Sequence, residues 1–206
     1  PERGIDSHES GGILLEWRQP DNESIDRYEM FRAIDYEETD SLEIYELVAQ
    51  VDAEIIDTQS YLDQTAELRK RYLYRIKAIN NSERESSISE AISYKLLPRI
   101  TRTKMIPDGV SELLDNDRKL MWWYNFQIEM EDYTLTIISN SNELMYRTRV
   151  YPSSYVGDRE SLNIPSSVQL SIGQIYKWRI DLGADYLLNV ETTGSESEWA
   201  YFIYMG

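Results

Sequence analysis

The chain contains no cysteine and a single histidine, His8, among its 206 residues. Without cysteine there can be no disulfide bond, thiolate zinc site or cysteine nucleophile. A catalytic or metal-binding histidine must be held rigidly by its neighbours, whereas His8 lies in a polar N-terminal segment. The Gly-x-Ser-x-Gly, P-loop and His-Glu-x-x-His motifs are also missing. We therefore expect no enzyme activity, no catalytic residue, no metal ligand and no cofactor.

Long apolar runs and basic residues are scarce as well. No segment reaches the roughly 18 apolar residues that a helix needs to cross a bilayer. The chain has 21 Lys and Arg against 37 Asp and Glu, a net charge of −16. Such a charge repels nucleic-acid phosphates and anionic membrane surfaces. We expect an acidic, soluble monomer with no nucleic-acid partner and no membrane span.

Apolar and polar residues alternate in short segments separated by turn residues, which is the period-two pattern of half-buried β-strands. The pattern runs to Leu96, is interrupted at Pro98 and starts again near Leu120. It predicts an all-β protein with two tandem β-sandwiches of about seven strands each, because the apolar face of one sheet must be covered by another sheet. The expected boundaries are a flexible stretch at residues 1–10, a first domain at 11–98 and a second domain at 99–206.

The first domain resembles the fibronectin type III family. Ile13–Trp17 is similar to the family's strand B with its tryptophan, and Tyr28 to its strand C tyrosine. The sequence from Tyr72 to Asn80, Tyr-Leu-Tyr-Arg-Ile-Lys-Ala-Ile-Asn, is similar to its F strand. The Tyr-x-Asp that ends at Asp63, and the Glu-Ser-Ser-x-Ser of residues 85–89, resemble the bacterial variety of the module. The resemblance implies an immunoglobulin-like sandwich.

The second domain resembles the same family through residues 170–180, Leu-Ser-Ile-Gly-Gln-Ile-Tyr-Lys-Trp-Arg-Ile, which are similar to its tyrosine corner. The resemblance implies that the Tyr176 phenol hydrogen-bonds to backbone upstream of it. Residues 195–199, Ser-Glu-Ser-Glu-Trp, lack the first tryptophan of the cytokine-receptor branch, which is therefore disfavoured. The residues expected in the two cores are Trp17, Tyr28, Tyr72, Tyr74, Trp122, Leu170, Tyr176 and Trp178.

Some aromatic side chains are candidates for binding. If Trp122 points inward, Trp123 must point outward, because successive side chains of a strand alternate between faces. Together with Tyr124, Tyr151 and Tyr155, its ring could stack on a sugar or a partner chain. The alternative is that these rings cover a sheet edge or fill the interface between the domains.

The family resemblance implies binding, adhesion or spacing, most often outside the cytoplasm. We expect a non-catalytic surface or periplasmic protein with a protein or glycan partner, the mature part of a bacterial lipoprotein with a lipid anchor upstream of residue 1. One alternative is an accessory module, such as a carbohydrate-binding one, of a secreted polysaccharide-degrading enzyme. Another is a calcium-dependent adhesin fragment, because clustered loop carboxylates suit that ion. Its candidate ligands are Glu37, Glu38, Asp40, Glu129, Glu131 and Asp132.

Overall fold

The regular structure of the described residues is almost entirely β, with one 3₁₀ turn at Arg102–Lys104. The chain divides into two compact units, the first of Pro1–His8 with Gly12–Leu96 and the second of Glu9–Gly11 with Leu97–Gly206. No helix among the described residues has the length and apolar character needed to cross a bilayer. The computed structural model describes residues 4–19, 24–35, 43–54, 56–109, 113–114, 118–124, 132–152, 159–187 and 190–206.

The described residues of the first unit form seven strands in two sheets. One sheet has the order β1-β2-β5 and the other β7-β6-β3-β4, with antiparallel pairing throughout. Side chains from both sheets form one apolar core, because every second residue of a strand faces the same side. The strands are β1 (Ile5–Ser7), β2 (Ile13–Arg18), β3 (Ile25–Ile34), β4 (Glu46–Asp52), β5 (Thr58–Asp63), β6 (Arg71–Asn80) and β7 (Ile92–Leu96).

The N-terminal residues belong to this unit. Ile5 pairs with Leu15 and Ser7 with Ile13, and both Ile5 and Ser7 are buried. This corrects the expectation of a flexible stretch over residues 1–10 where it concerns residues 5–7. The segment is too short and polar for its period-two pattern to stand out, but pairing with β2 satisfies its backbone and buries Ile5.

The second unit has nine strands among the described residues, again in two sheets. The first sheet has the order β13-β10-β8. In the other, β14 pairs with β11 on one side and with β15 and then β16 on the other, while β12 and β9 extend the sheet. The strands are β8 (Met105–Ile106), β9 (Leu113–Leu114), β10 (Lys119–Trp123), β11 (Asp132–Ser139), β12 (Leu144–Val150), β13 (Arg159–Asn163), β14 (Ile175–Leu187), β15 (Val190–Glu196) and β16 (Ala200–Tyr204).

The core of the second unit is organised around two tryptophans. Trp122 and Trp178 are both 0% exposed, and their ring centroids lie 6.5 Å apart in an edge-on arrangement. The indole nitrogen of Trp178 donates to the carbonyl of Pro107 at 2.9 Å, so its polar atom is satisfied inside the core. The prediction of an all-β chain with two sandwiches is confirmed. The boundary lies between Leu96 and Leu97, two residues before the predicted one.

Serine hydroxyls take the place of backbone pairing in the segment just before β7 and in the segment between β15 and β16. In the first unit, the hydroxyls of Ser86 and Ser89 each accept a hydrogen bond of 3.0 Å, from the backbone N–H groups of Ala78 and Ile76. In the second unit, Ser197 accepts in the same way from the backbone of Ile180 at 2.9 Å. These bonds satisfy backbone donors that would otherwise lack a strand partner.

Candidate functional site

The candidate site is centred on Trp123, on the outer face of the three-stranded sheet of the second unit. Lys104 Nζ lies 5.2 Å and Arg159 Cζ 5.3 Å from the centroid of the indole ring. Arg159 is directly opposite Trp123 in the register of β10 with β13. Lys104 precedes Met105, which pairs with Trp122 on the other side of β10. The two cations therefore belong to segments on opposite sides of β10, and both lie within the range of cation–π attraction to the indole.

Two further rows of side chains continue this surface along the sheet. Met121 pairs with Ile106 on one side and with Ser161 on the other, and Lys119 pairs with Asn163. Leu120, Trp122 and Glu160, which alternate with these residues, are buried. We call the outward surface the Trp123 face; its members are Lys104, Ile106, Lys119, Met121, Trp123, Arg159, Ser161 and Asn163.

The Trp123 face is positively charged in an acidic protein. It contains three cations and no carboxylate, while residues 99–206 have 15 acidic and 10 basic side chains, a net charge of −5. Lys104, Lys119 and Arg159 form no salt bridge with any described carboxylate. The described part of this face is therefore cationic, which suits an anionic ligand.

Two other arginines that lie over aromatic rings in this unit are paired with carboxylates, while a third, Arg118 over Tyr204, donates to the Val168 carbonyl. Arg102 lies over Tyr201 and forms a salt bridge of 2.9 Å with Asp108. Arg179 lies over Trp199 and forms one of 2.6 Å with Glu196. The Trp123 face differs from both because its cations lack such a carboxylate among the described residues.

The remaining candidate binding aromatics do not join Trp123. Tyr124 is only 3% exposed and belongs to the core, which corrects its selection as a binding residue. The reason is the alternation that turns Trp123 outward, since it turns the next residue inward. Tyr151 follows β12 and is 72% exposed. Tyr155 lies outside the described residues.

Six of the eight residues predicted to lie in the two cores are buried, and the other two are half-buried. Tyr28, Tyr72, Tyr74, Trp122, Tyr176 and Trp178 are all at most 4% exposed. Trp17 is half-buried and contacts Tyr28 edge-on at 5.2 Å between ring centroids. Leu170 is also half-buried and packs against the second core.

A tyrosine corner is present in each unit. The backbone N–H of Ser171 donates to the Tyr176 hydroxyl at 2.8 Å, which is the contact that the family resemblance implies. The N–H of Glu67 donates to the Tyr72 hydroxyl at 3.1 Å, across the same separation of five residues. The role of Tyr72 was not predicted from the sequence, although its position at the start of an F-like strand was a usable signal.

Asp63 is a fully buried carboxylate in the first unit. It accepts hydrogen bonds from the Tyr74 hydroxyl and from Arg32, both at 2.8 Å, and from the backbone and hydroxyl of Thr65. Burial raises the pKa of Asp63, but the hydrogen bonds from Thr65, Tyr74 and Arg32 outweigh burial and hold its pKa below the ordinary value. This network is structural, because its only charged groups are committed to one another.

Arg179 occupies the centre of a second ionic cluster. It forms two hydrogen bonds with the Glu196 carboxylate and lies 3.0 Å from Asp181 and 3.6 Å from Glu9. The Trp199 indole N–H donates to the same Glu9 carboxylate. Burial lowers the pKa of Arg179, and Asp181, Glu196 and Glu9 raise it to a net value above the ordinary one. The guanidinium therefore stays charged and holds three carboxylates together.

A cavity of about 310 Å³ opens to solvent on the first unit. Its apolar lining includes Leu15, Met30 and Tyr74, and two carboxylates, Glu16 and Glu90, lie on its walls. Glu16 is half-buried and Glu90 is exposed.

The described residues contain no group of three or more acidic or histidine side chains able to hold a metal ion. Of the carboxylates considered for calcium, only Asp132 is described, and it forms a salt bridge of 3.1 Å with Arg149. The others, Glu37, Glu38, Asp40, Glu129 and Glu131, lie outside the described residues.

No protein-family model and no curated protein sequence matches the chain. Several solved structures are similar to it at low identity, and two of them follow. The FN1–FN3 domains of chicken CNTN1 share 11% identity, with a TM-score of 0.36 over 99% of this chain and 67% of that chain. The chicken interferon gamma receptor alpha chain shares 14% identity, with a TM-score of 0.33 over 98% of this chain and 96% of that chain. The strand pairing and the shared apolar core within each unit define the sandwich fold.

Proposed function

We propose that this protein is a non-catalytic interaction module and that the Trp123 face is its binding surface. The observation that carries the proposal is the row of Lys104, Trp123 and Arg159, in which two cations without a described carboxylate partner flank one indole ring. Tryptophan and arginine are the residue types that most often dominate binding energy at protein interfaces. A cation that has no carboxylate partner among the described residues can attract an anionic partner.

The arrangement supports anion recognition over stacking on a neutral sugar. A sugar ring that lay on the indole would have to displace Lys104 or Arg159 from it. An anionic group could instead contact both cations while they remain over the ring. The partner, a protein or an acidic glycan, should therefore present carboxylate, sulfate or phosphate groups to this surface.

We place this activity outside the cytoplasm, in a bacterial lipoprotein whose anchor lies upstream of residue 1. The support is the resemblance of residues 61–63 and 85–89 to the bacterial fibronectin type III module. The gene sequence upstream of Pro1 tests the assignment. A secretion signal that ends in a lipid-accepting cysteine is expected, and an upstream coding sequence with no secretion signal would contradict it.

A comparison of two variants tests the binding surface. Arrays of acidic and neutral peptides and glycans are probed with the parent chain, with Trp123→Ala and with Leu144→Ala. Leu144 is a matched control because it is 59% exposed on β12 of the same unit but lies in the other sheet. Binding to anionic probes should fall about tenfold in Trp123→Ala and stay unchanged in Leu144→Ala. Equal binding by all three proteins would contradict the proposal.

A further inference from the structure

We propose that the Trp123 face binds an acidic peptide segment in extended conformation, which adds to the sheet as a strand beside β13. This inference rests on the function proposed above and names the partner of the same surface. Among the described residues, β13 pairs with β10 alone and is the edge of the sheet β13-β10-β8. An edge strand has backbone N–H and C=O groups that point away from its neighbour and can pair with another chain.

The side chains of β13 alternate in a way that suits such a partner. Arg159, Ser161 and Asn163 are exposed, whereas Glu160 is only 8% exposed. The three exposed side chains are a cation, a hydroxyl and an amide, each able to donate a hydrogen bond to a carboxylate. Because the only acidic residue of β13 is turned inward, β13 itself presents no carboxylate to an incoming strand on this face.

Charge at both ends of β13 defines the spacing of the acidic residues in the partner. At one end lies Arg159, on β13 itself and opposite Trp123, and at the other Lys119 of β10 lies opposite Asn163; Lys104 lies on the far side of β10. Residues 159 and 163 are separated by four positions, about 13 Å in a strand. A paired peptide with acidic residues at positions i and i+4 places one carboxylate at each end. A polar or acidic residue at i+2 then lies beside Ser161.

Backbone pairing separates this proposal from binding of an acidic glycan. A polyuronate can reach the same three cations, but it has no row of peptide N–H and C=O groups to match those of β13. A peptide therefore gains from both charge and strand pairing, and its affinity depends on where its acidic residues stand. Affinity for a polyanion held by charge alone depends mainly on its charge density.

The test uses the full chain and a nine-residue threonine peptide with glutamate at every second central position. Three probes accompany it: a peptide of the same composition with consecutive glutamates, the alternating peptide with N-methylated backbone amides, and oligogalacturonate. Binding is measured by calorimetric titration, and hydrogen exchange follows the backbone amides of residues 159–163. The variants are Lys104→Gln with Arg159→Gln, and Arg147→Gln as the control, an exposed arginine of β12 in the other sheet.

The alternating peptide should bind at least about tenfold more tightly than the consecutive and N-methylated peptides, and slow the exchange of amides in β13. The double variant should lose about tenfold in affinity, while Arg147→Gln should match the parent. Equal affinity for all three peptides, or no peptide binding, would overturn the proposal. Tighter binding of oligogalacturonate that is lost in the double variant would overturn the peptide proposal and leave the binding surface in place. If the double variant binds every probe as tightly as the parent does, both the peptide proposal and the proposed binding surface are overturned.

Discussion

The hydroxyl of Tyr74 donates a hydrogen bond of 2.8 Å to the Asp63 carboxylate in the core of the first unit, where both residues are 0% exposed. Arg32 reaches the same carboxylate oxygen at 2.8 Å and also pairs with Glu46. A buried carboxylate of this kind is tolerated only because each of its partners is present.

Replacement of Asp63 by alanine should lower the free energy of unfolding by about 3–5 kcal/mol, because it leaves Arg32 and the Tyr74 hydroxyl without their buried acceptor. Urea denaturation followed by tryptophan fluorescence measures the change. Asp52→Ala is the control, since Asp52 is exposed on β4. Its effect should stay within about 0.5 kcal/mol. A loss for Asp63→Ala no larger than that of the control would show that the network contributes nothing.

The same carboxylate should make stability depend on pH. Its pKa in the folded unit lies below the ordinary value, which is about 3.9 in an unfolded chain. The stabilisation is therefore complete above about pH 4 and is lost as the pH falls through the folded pKa. The free energy of unfolding is measured against pH for the parent and for Asp63→Asn. The parent should have the higher free energy of unfolding, and its advantage over Asp63→Asn should decrease as the pH falls. An advantage that stays constant or grows toward acid pH would contradict the lowered pKa.

The two tyrosine corners should make comparable contributions. Tyr176→Phe removes the acceptor of the Ser171 N–H, and Tyr72→Phe removes that of the Glu67 N–H. Each should cost about 1 kcal/mol in the free energy of unfolding, as expected for one hydrogen bond. Thermal unfolding measures both. Tyr151→Phe, at an exposed position, should leave the melting temperature unchanged. If it lowers stability as much as the corner variants do, the corner hydrogen bonds are not the cause.

Arg179→Ala should destabilise the second unit by about 3 kcal/mol, because Glu9, Asp181 and Glu196 are left together without their cation. Arg179→Lys keeps the charge but cannot form the two parallel hydrogen bonds with Glu196, so its loss should be intermediate. Chemical denaturation ranks the three proteins. High salt should reduce the difference in the free energy of unfolding between the parent and Arg179→Ala, because salt screens the repulsion among the three carboxylates. A ranking with the lysine variant below the alanine variant would contradict this account.

The alternation of apolar residues was enough to predict the strands and much of the cores. Tyr74 and Trp178 are buried where the pattern turns them inward, and Trp123 is turned outward by the same rule. The pattern did not reveal β1, whose three residues are too few to display a period. The pattern also did not predict that Lys104 and Arg159 belong to the candidate site, because neither residue differs from other surface cations in its own segment.

The amino-acid sequence alone determined the local features of this protein. These are the side chains that face a core, the positions where turns interrupt strands, and the tyrosine that begins an F-like strand. These properties depend on neighbours one to five positions away. Only the tertiary structure brings Lys104 and Arg159 to Trp123. It likewise places Arg32 and Tyr74 around Asp63. The reason is that cross-strand neighbours depend on strand order and register, which arise from packing between segments far apart in the chain.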